Sequence, residues 1–167
     1  MLTLDSCKVL VQALVISHLD YANGLFIGLP QKVFDQLQRI QNMAAKVTLN
    51  RSKFESSKDA LKKLHWLPIK ERVEFKILTM VFKCVNKAAP NYLSELITVK
   101  DSPYDTRLLN SENYLFVPRT KCVTFGDRAF SVAGPKIWNK LPPEIRSIID
   151  IEIFRKRIKT YLFAKVF

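Results

Sequence analysis

The most regular feature of the chain is the recurrence of apolar residues at spacings of three and four. This spacing matches the turn of an α-helix that buries one side. It predicts helices over residues 5–19, 31–48, 58–65, 69–87 and 151–165. The chain also has only 4 glycines in 167 residues, which favours helices over a turn-rich β fold. We therefore expect a mainly α protein, built as a helical bundle.

Three of these helices differ in how much apolar surface they offer. The first has a wide apolar arc between Cys7 and Leu19 and is expected to be well buried. The second has one narrow stripe, which consists of Val33, Leu37, Ile40, Ala44 and Val47. Its other face, which could contact solvent or nucleic acid, carries Gln38, Arg39, Gln41, Asn42 and Lys46. The helix over 69–87 is apolar on nearly two faces, so it is expected to lie at the centre of the core.

The chain after residue 100 departs from the helical pattern. Residues 101–113 are polar and aperiodic, and they are predicted to form a loop. Two short β-prone runs around Pro118 predict a small β-hairpin or extended pair near 114–124. The pattern therefore divides the chain into a first group of helices, a central helical core, the loop and a C-terminal subdomain, over 1–50, 51–100, 101–113 and 114–167.

Several helix signals stand close together in the C-terminal subdomain. Thr124 and Asp127 fit a capping box, in which both side chains accept hydrogen bonds from free amides at a helix start. The predicted helix covers residues 128–133, and Gly134-Pro135 is expected to break or kink it. Asp150 is expected to cap the final helix.

The composition adds a strong positive charge. Lys and Arg number 27 against 15 Asp and Glu, which gives a net charge of +12 and a pI near 9.8. The net charge is −1 over residues 1–29, +5 over 30–65, +3 over 66–100 and +5 over 101–167. Such a broad basic surface favours contact with the phosphate backbone of nucleic acid over a single sequence-reading element. A solvated basic surface explains the charge alone equally well.

Few residues are arranged for catalysis or metal binding. Cys7, Cys84 and Cys122 are far apart and odd in number, which argues against a disulfide framework and a zinc knuckle. We expect these thiols to be reduced and mostly buried. His18 and Asp20 are two residues apart, a spacing that places them on different sides of a helix. Because the carboxylates are scattered and no phosphate-binding or hydrolase motif occurs, we expect no enzyme activity, cofactor or small-molecule substrate.

The longest apolar run of the chain extends from Val9 to Ile16 and includes Gln12. It is too short to cross a bilayer. It also lacks a positively charged flank and a cleavage site of small residues, so it is a poor secretion signal. We therefore expect no membrane partner and an intracellular protein, in the nucleus or the cytoplasm.

Six blocks of sequence follow one another in a familiar order. They are LVISHLDYANGLFIGLP, LQRIQNMAAKV, LKKLHWLPIKERVEFKILTMVFKCVN, APNYLSEL, VPRTKCVTFGDRAFSVAGPKIWNKLPPEIR and IFRKRIKTYLF. This series resembles the C-terminal part of the reverse transcriptases of non-LTR (LINE-type) retrotransposons, of the jockey-like and chicken-repeat-like groups. The similarity covers nearly the whole chain.

The resemblance implies a non-catalytic fragment of an RNA-directed DNA polymerase. In the family, the paired catalytic aspartates belong to the palm, which lies upstream of the first block, so no catalytic residue is carried over. Residues 1–50 then correspond to the end of the polymerase thumb. The rest corresponds to the C-terminal domain, which is thought to help to hold template RNA and target DNA. The cysteine–histidine zinc knuckle of some members has no counterpart in this sequence.

Charge and resemblance together predict a nucleic-acid interface. The cations expected to contact phosphates of RNA or DNA are Arg119, Lys121, Arg128, Lys136, Arg155, Lys156 and Arg157. The alternative is a structural or protein-interaction module that packs on the polymerase palm or on another subunit, with its basic faces solvated. Its contact would be the apolar strip near Phe130 and Trp138. An exposed strip would favour this alternative, and a buried strip would count against it.

Overall fold

Helices dominate the protein. The computed structural model describes residues 3–100, 113–122 and 124–167, and none of these residues belongs to a β-strand. The α-helices within these ranges are α1 (Leu4–Val11), α2 (Ser17–Asp20), α3 (Gln31–Thr48), α4 (Ser57–Lys63), α5 (Ile69–Val85), α6 (Asn91–Ser94), α7 (Phe130–Trp138), α8 (Pro143–Arg146) and α9 (Ile151–Val166). The predicted mainly α fold is thereby confirmed.

The chain divides into two compact units. Unit 1 comprises Met1–Val73 and Leu162–Phe167, and unit 2 comprises Glu74–Tyr161. Helices α5 and α9 each begin in one unit and end in the other. The four regions drawn from the sequence remain a prediction, and their loop over 101–113 lies outside the described residues except for Asn113.

The first helical stretch of unit 1 extends beyond α1, and several of its apolar side chains are exposed. A π-helical segment at Gln12–Ile16 joins α1 to α2, so the chain is helical without a break from residue 4 to residue 20. The apolar side chains of Val9, Leu10 and Leu14 are exposed, whereas those of Val11 and Ile16 are buried. The prediction that this helix is well buried is therefore wrong. Helix α3 packs along one side of it, and one neighbour covers only part of so wide an arc.

Helix α3 has its predicted bounds but a different buried face. Ile40 and Val47 are 47% and 64% exposed, whereas Gln41 is 0% exposed. The predicted apolar stripe is wrong at these positions, and so is the placement of Gln41 on an open polar face. The side that packs is built around Ala44 and Ala45, whose small side chains admit close neighbours.

Gln41 belongs to a hydrogen-bond network that joins α3 to the turn before α5. Its Nε2 donates to the Leu67 carbonyl at 2.9 Å, and its Oε1 accepts from Gln38 Nε2 at 2.9 Å. Gln38 Oε1 in turn accepts from the Ile69 amide at 2.9 Å. Because the first amides of a helix have no partner within the helix, Gln38 supplies one from a distant part of the chain.

The core of unit 2 is aromatic. The rings of Phe82 and Phe154 stack with their centroids 4.3 Å apart, and the Trp138 ring lies 5.7 Å from that of Phe154. All three side chains are buried. They come from α5, α7 and α9, so this cluster holds these three helices together.

Helix α7 passes through Gly134-Pro135 without a break, so the predicted break at these residues is wrong. A Cβ on Gly134 would lie 2.9 Å from Val81 Cγ2, which shows how closely α7 approaches α5 at this residue. Pro135 is buried beside it, and its missing amide removes one hydrogen bond of the helix. The packing of this contact compensates for that loss, since the helix continues to Trp138.

A single β-bridge replaces the hairpin predicted near 114–124. Leu115 pairs with Val99 in antiparallel fashion, and no described residue between 116 and 122 forms a second strand. On the other side of Leu115, the Asn139 side chain accepts from its amide at 3.0 Å and donates to its carbonyl at 2.8 Å. Because Asn139 takes both groups and Pro118 has no amide to donate, a hairpin ladder cannot form here. Val123, within the predicted second strand, lies outside the described residues.

Candidate nucleic-acid interface

The Asp127 carboxylate links two segments of unit 2 that carry predicted cations. Asp127 Oδ1 accepts a hydrogen bond from Thr120 Oγ1 at 2.8 Å and another from Lys136 Nζ at 2.9 Å. Thr120 lies between two of the predicted cations in sequence, and Asp127 precedes a third. We call this group the Asp127 cluster, and its members are Arg119, Thr120, Lys121, Asp127, Arg128 and Lys136.

The cations of the Asp127 cluster are accessible to a ligand. Arg119, Lys121 and Lys136 are exposed, and Arg128 is half-buried. Four positive charges against one negative charge leave the cluster with a net charge of +3. A local excess of this kind attracts phosphates.

The turn that carries the cluster is tightly built. A Cβ on Gly126 would lie 2.9 Å from Thr120 Cβ, so residue 126 has no room for a side chain without a shift of Thr120. Residues Gly126–Arg128 form a 3-10 turn, and α7 begins only at Phe130, after Ala129. The predicted capping box is therefore wrong, since the Asp127 carboxylate bonds the two side chains of the cluster instead of the helix amides.

The environment of Asp127 favours its charged form. The hydrogen bond from Lys136, followed by that from Thr120, lowers the pKa of the Asp127 carboxyl below its ordinary value. Both bonds stabilise the carboxylate more than the acid. The cluster is therefore held by a charged hub throughout the neutral pH range.

The second group of predicted cations lies on α9. Asp150 caps this helix as predicted, since its Oδ1 accepts from the Ile153 amide at 2.8 Å. Arg155, Lys156 and Arg157 are exposed, between the buried residues Phe154 and Ile158. Arg155 also bonds Glu152 at 3.1 Å, one turn earlier on the same helix. Local helix geometry alone places these three cations on the surface.

Arg146 is a cation that the sequence analysis did not select. It ends α8 and is only 5% exposed. Its guanidinium lies 5.5 Å from the centre of the Tyr114 ring. The Nε and Nη1 atoms are buried, and neither has a hydrogen-bond partner in the part of the chain that the structure describes. No local sequence signal marked this residue as buried, because a single arginine after Pro142-Pro143 fits no apolar pattern.

The carboxylate of the rejected His18–Asp20 pair has a structural partner. Arg72 donates to both oxygens of Asp20, with Nε 2.8 Å from Oδ1 and Nη2 bonded to Oδ2. Asn23 Nδ2 also donates to Asp20 Oδ1, at 3.1 Å. This ion pair joins the end of α2 to the start of α5 within unit 1. No local sequence pattern predicted it.

The three cysteines are free thiols with different exposures. Cys84 is buried, and this burial raises the pKa of its thiol. Cys122 is exposed, so the prediction of mostly buried thiols is wrong for this residue. Within the described ranges, no three His, Cys, Asp or Glu side chains are grouped as a metal site requires. None of the helices in those ranges is long and apolar enough to cross a membrane.

Unit 1 contains a cleft of about 330 Å³. Its lining mixes apolar side chains such as Phe34 with the charged ends of Asp35 and Lys58. Two of its amides already bond each other, since Gln38 Nε2 donates to Asn42 Oδ1 at 2.9 Å. Because these polar groups serve the fold, the cations of unit 2 are the better candidate for ligand contact.

Comparisons of the chain with protein-family models, with curated proteins and with solved structures found no match.

Proposed function

We propose that this chain is a non-catalytic region that binds RNA or DNA through the phosphate backbone, without reading base sequence. The observation that carries the proposal is the Asp127 cluster. In it, one carboxylate bonds Thr120 and Lys136, and three further predicted cations adjoin Thr120 or Asp127 in the sequence. The exposed cations of α9 supply a second set of contacts in the same unit. The net charge of +12 supports the proposal, because it favours association with any polyanion.

The chemistry of the cluster suits exchange between a carboxylate and a phosphate. The ion pair between Lys136 and Asp127 is partly exposed, and ion pairs of this kind contribute little to stability. Lys136 can therefore turn to a phosphate at small cost. Thr120 keeps its bond to Asp127 meanwhile, so the turn retains its shape.

The biological setting that we propose is the C-terminal part of a non-LTR retrotransposon reverse transcriptase. The order of the six sequence blocks supports this setting. In it, the chain assists a polymerase whose catalytic aspartates lie upstream, and its nucleic-acid partners are the template RNA and the target DNA. The chain contributes positioning and no chemistry of its own.

The test is a titration of labelled RNA and duplex DNA against salt, followed by fluorescence anisotropy. We expect binding at low salt and a linear fall of the logarithm of affinity with the logarithm of salt concentration. The substitution Lys121→Gln should reduce the slope by about 0.9 for duplex DNA, as expected for one lost phosphate contact. Lys62→Gln, an equal change of charge at an exposed residue of α4, should leave the slope unchanged. Absence of binding at low salt, or binding without salt dependence, would refute the proposal.

A protein-interaction role is the second candidate, and one observation favours it. Unit 1 exposes large apolar side chains on α1, the π-helical segment and α3, namely Leu10, Leu14, Ile40, Met43 and Val47. The strip first considered for this role is a poorer candidate, since Trp138 is 0% exposed. The occupant that we propose for the unit 1 surface is the palm of the same polymerase.

Co-purification with the upstream palm tests this second role. Leu14→Gln together with Met43→Gln should abolish co-elution, whereas Gln36→Ala, at an exposed polar position of α3, should not. Co-elution that survives the double substitution would remove this surface from consideration. Loss of co-elution without loss of RNA binding would show that the two roles belong to different surfaces.

A further inference from the structure

The side chain of Arg146 is charged, buried and incompletely bonded. Its buried Nε and Nη1 atoms have no hydrogen-bond partner among the described residues. The third nitrogen, Nη2, is not among these unsatisfied atoms. Native proteins satisfy nearly all buried polar groups, so each exception needs a physical explanation. A guanidinium retains its proton in proteins, so Arg146 cannot become neutral as a buried lysine can.

The Tyr114 ring does not resolve this imbalance. The guanidinium carbon lies 5.5 Å from the ring centre, a distance typical of a cation–π contact. Such a contact is an attraction to the ring and supplies no acceptor oxygen to the N–H groups. The buried Nε–H and Nη1–H groups are therefore still without an acceptor among the described residues.

We propose that Arg146 anchors an oxyanion-binding site in unit 2 that takes one phosphate group. A phosphate offers several acceptor oxygens to the planar donors of a guanidinium, and bonds between two charged groups are the strongest hydrogen bonds of this type. The surrounding sequence has the matching charge. Between residues 113 and 161, ten Lys or Arg stand against four Asp or Glu, a net charge of +6.

The site is anchored from the backbone side as well. Asn113 Nδ2 donates to the Arg146 carbonyl at 3.2 Å, and the Asn113 carbonyl accepts from Trp138 Nε1 at 2.8 Å. The backbone of Arg146 is thus linked through Asn113 to Trp138, a fully buried aromatic side chain of the unit. The guanidinium nitrogens Nε and Nη1 have no such bonds. The backbone of Arg146 therefore serves the fold, and we assign the guanidinium to a ligand.

The phosphate could belong to a nucleic-acid backbone or be a free ion. In the first case the site rests on the proposed function and adds to it one ordered phosphate contact, from Arg146, to those of the exposed cations. In the second case it is a separate anion site. The experiment below distinguishes the two sources.

The test uses the Nε–H signal of Arg146 in ¹H–¹⁵N NMR spectra of the wild-type chain, assigned through the backbone. Inorganic phosphate is added at constant ionic strength, with chloride as the balancing anion. We expect a saturable shift of the Arg146 signal, and no saturable shift for Arg51, whose Nε is paired with Glu55. A second titration uses a short single-stranded RNA without a terminal phosphate.

Each outcome decides the question. A saturable shift with both phosphate and RNA supports the site and places the phosphate in nucleic acid. A shift with inorganic phosphate alone supports the site as a free-anion site. If the Arg146 signal stays unchanged with both, the site is refuted and bound water is the better explanation of its donors. RNA binding that moves only the signals of exposed cations would refute this site and leave the proposed function standing.

The substitution Arg146→Lys gives an independent measurement. Lysine keeps the charge but lacks the planar set of donors. We expect Arg146→Lys to need at least tenfold more phosphate for the same thermal stabilisation. Arg51→Lys, at an arginine of unit 1 that is paired with Glu55, should leave the titration unchanged. Equal stabilisation of both variants would overturn the assignment to Arg146.

Discussion

Gln41 and Arg146 are both buried polar side chains, one in each unit, and their hydrogen bonding is opposite. Gln41 donates to the Leu67 carbonyl and accepts from Gln38, so each end of its amide has a partner. Arg146 has two buried nitrogens without one in the described part of the chain. The first side chain strengthens the fold that surrounds it. The second adds little to the fold beyond the contact of its guanidinium with Tyr114.

This difference separates a structural polar group from a candidate functional one. A closed network is costly to disturb, because any loss leaves a buried group unsatisfied. A buried polar group that already lacks hydrogen bonds can be removed with little loss of stability, because its removal leaves no new group unsatisfied. The same substitution at the two residues should therefore change the free energy of unfolding differently. Methionine is a suitable replacement because it is apolar and flexible.

The largest effect is expected for Gln41→Met. This change leaves the buried Leu67 carbonyl without its donor, so the free energy of unfolding should fall by about 1–3 kcal/mol. Urea unfolding followed by circular dichroism measures it. Gln36→Met, at an exposed position of the same helix, is the matched control and should change the free energy by less than about 0.5 kcal/mol. An unfolding free energy at the wild-type level for Gln41→Met would mean that the network contributes nothing.

A smaller effect is expected for Arg146→Met. In phosphate-free buffer, removal of a buried charge that lacks hydrogen bonds should leave the free energy of unfolding within about 1 kcal/mol of the wild type, or raise it. The lost contact with Tyr114 offsets part of the gain. The same urea titration applies. A fall of more than about 2 kcal/mol in the free energy of unfolding would show that Arg146, like Gln41, is a structural residue.

The smallest effect is expected for Asp127→Asn, since Asp127 is bonded but lies at the surface. Its lowered pKa means that the charged carboxylate stabilises the folded state. This contribution is complete above the ordinary pKa of an aspartate, about 4, and is lost as pH falls through the lowered value. The wild-type urea midpoint should therefore fall more steeply than that of Asp127→Asn below about pH 4. Glu95→Gln, at an exposed position of unit 2, should keep the wild-type pH profile; parallel profiles for all three proteins would contradict the role of Asp127.

The bounds of the helices were predictable because they depend on local signals. Periodicity predicted α3 at about its observed bounds, and Asp150 marked the start of α9. The buried face of α3 was not predictable in the same way. The rule that apolar residues point inward places Ile40 inside and Gln41 outside, and the structure has the reverse. The deciding partner of Gln41 is Leu67, 26 residues away, and no local pattern reports such a contact.

The candidate interface was predictable as a set of residues but not as an arrangement. The sequence identifies Arg119, Lys121 and Lys136 as cations, and helix geometry alone exposes those of α9. The bonds of Thr120 and Lys136 to Asp127 cross seven and nine residues, and no local sequence pattern reports them. Arg146 was missed altogether, because a single arginine after two prolines carries no pattern.

The amide of Asn139 occupies the outer edge of the bridge between Leu115 and Val99. Bare strand edges offer free amides and carbonyls on which a strand from another molecule can assemble, and this is a common start of aggregation. Leu115 has no such groups left to offer, since Asn139 takes both. One side chain thus closes the Leu115 edge and keeps it from serving as a template for self-association.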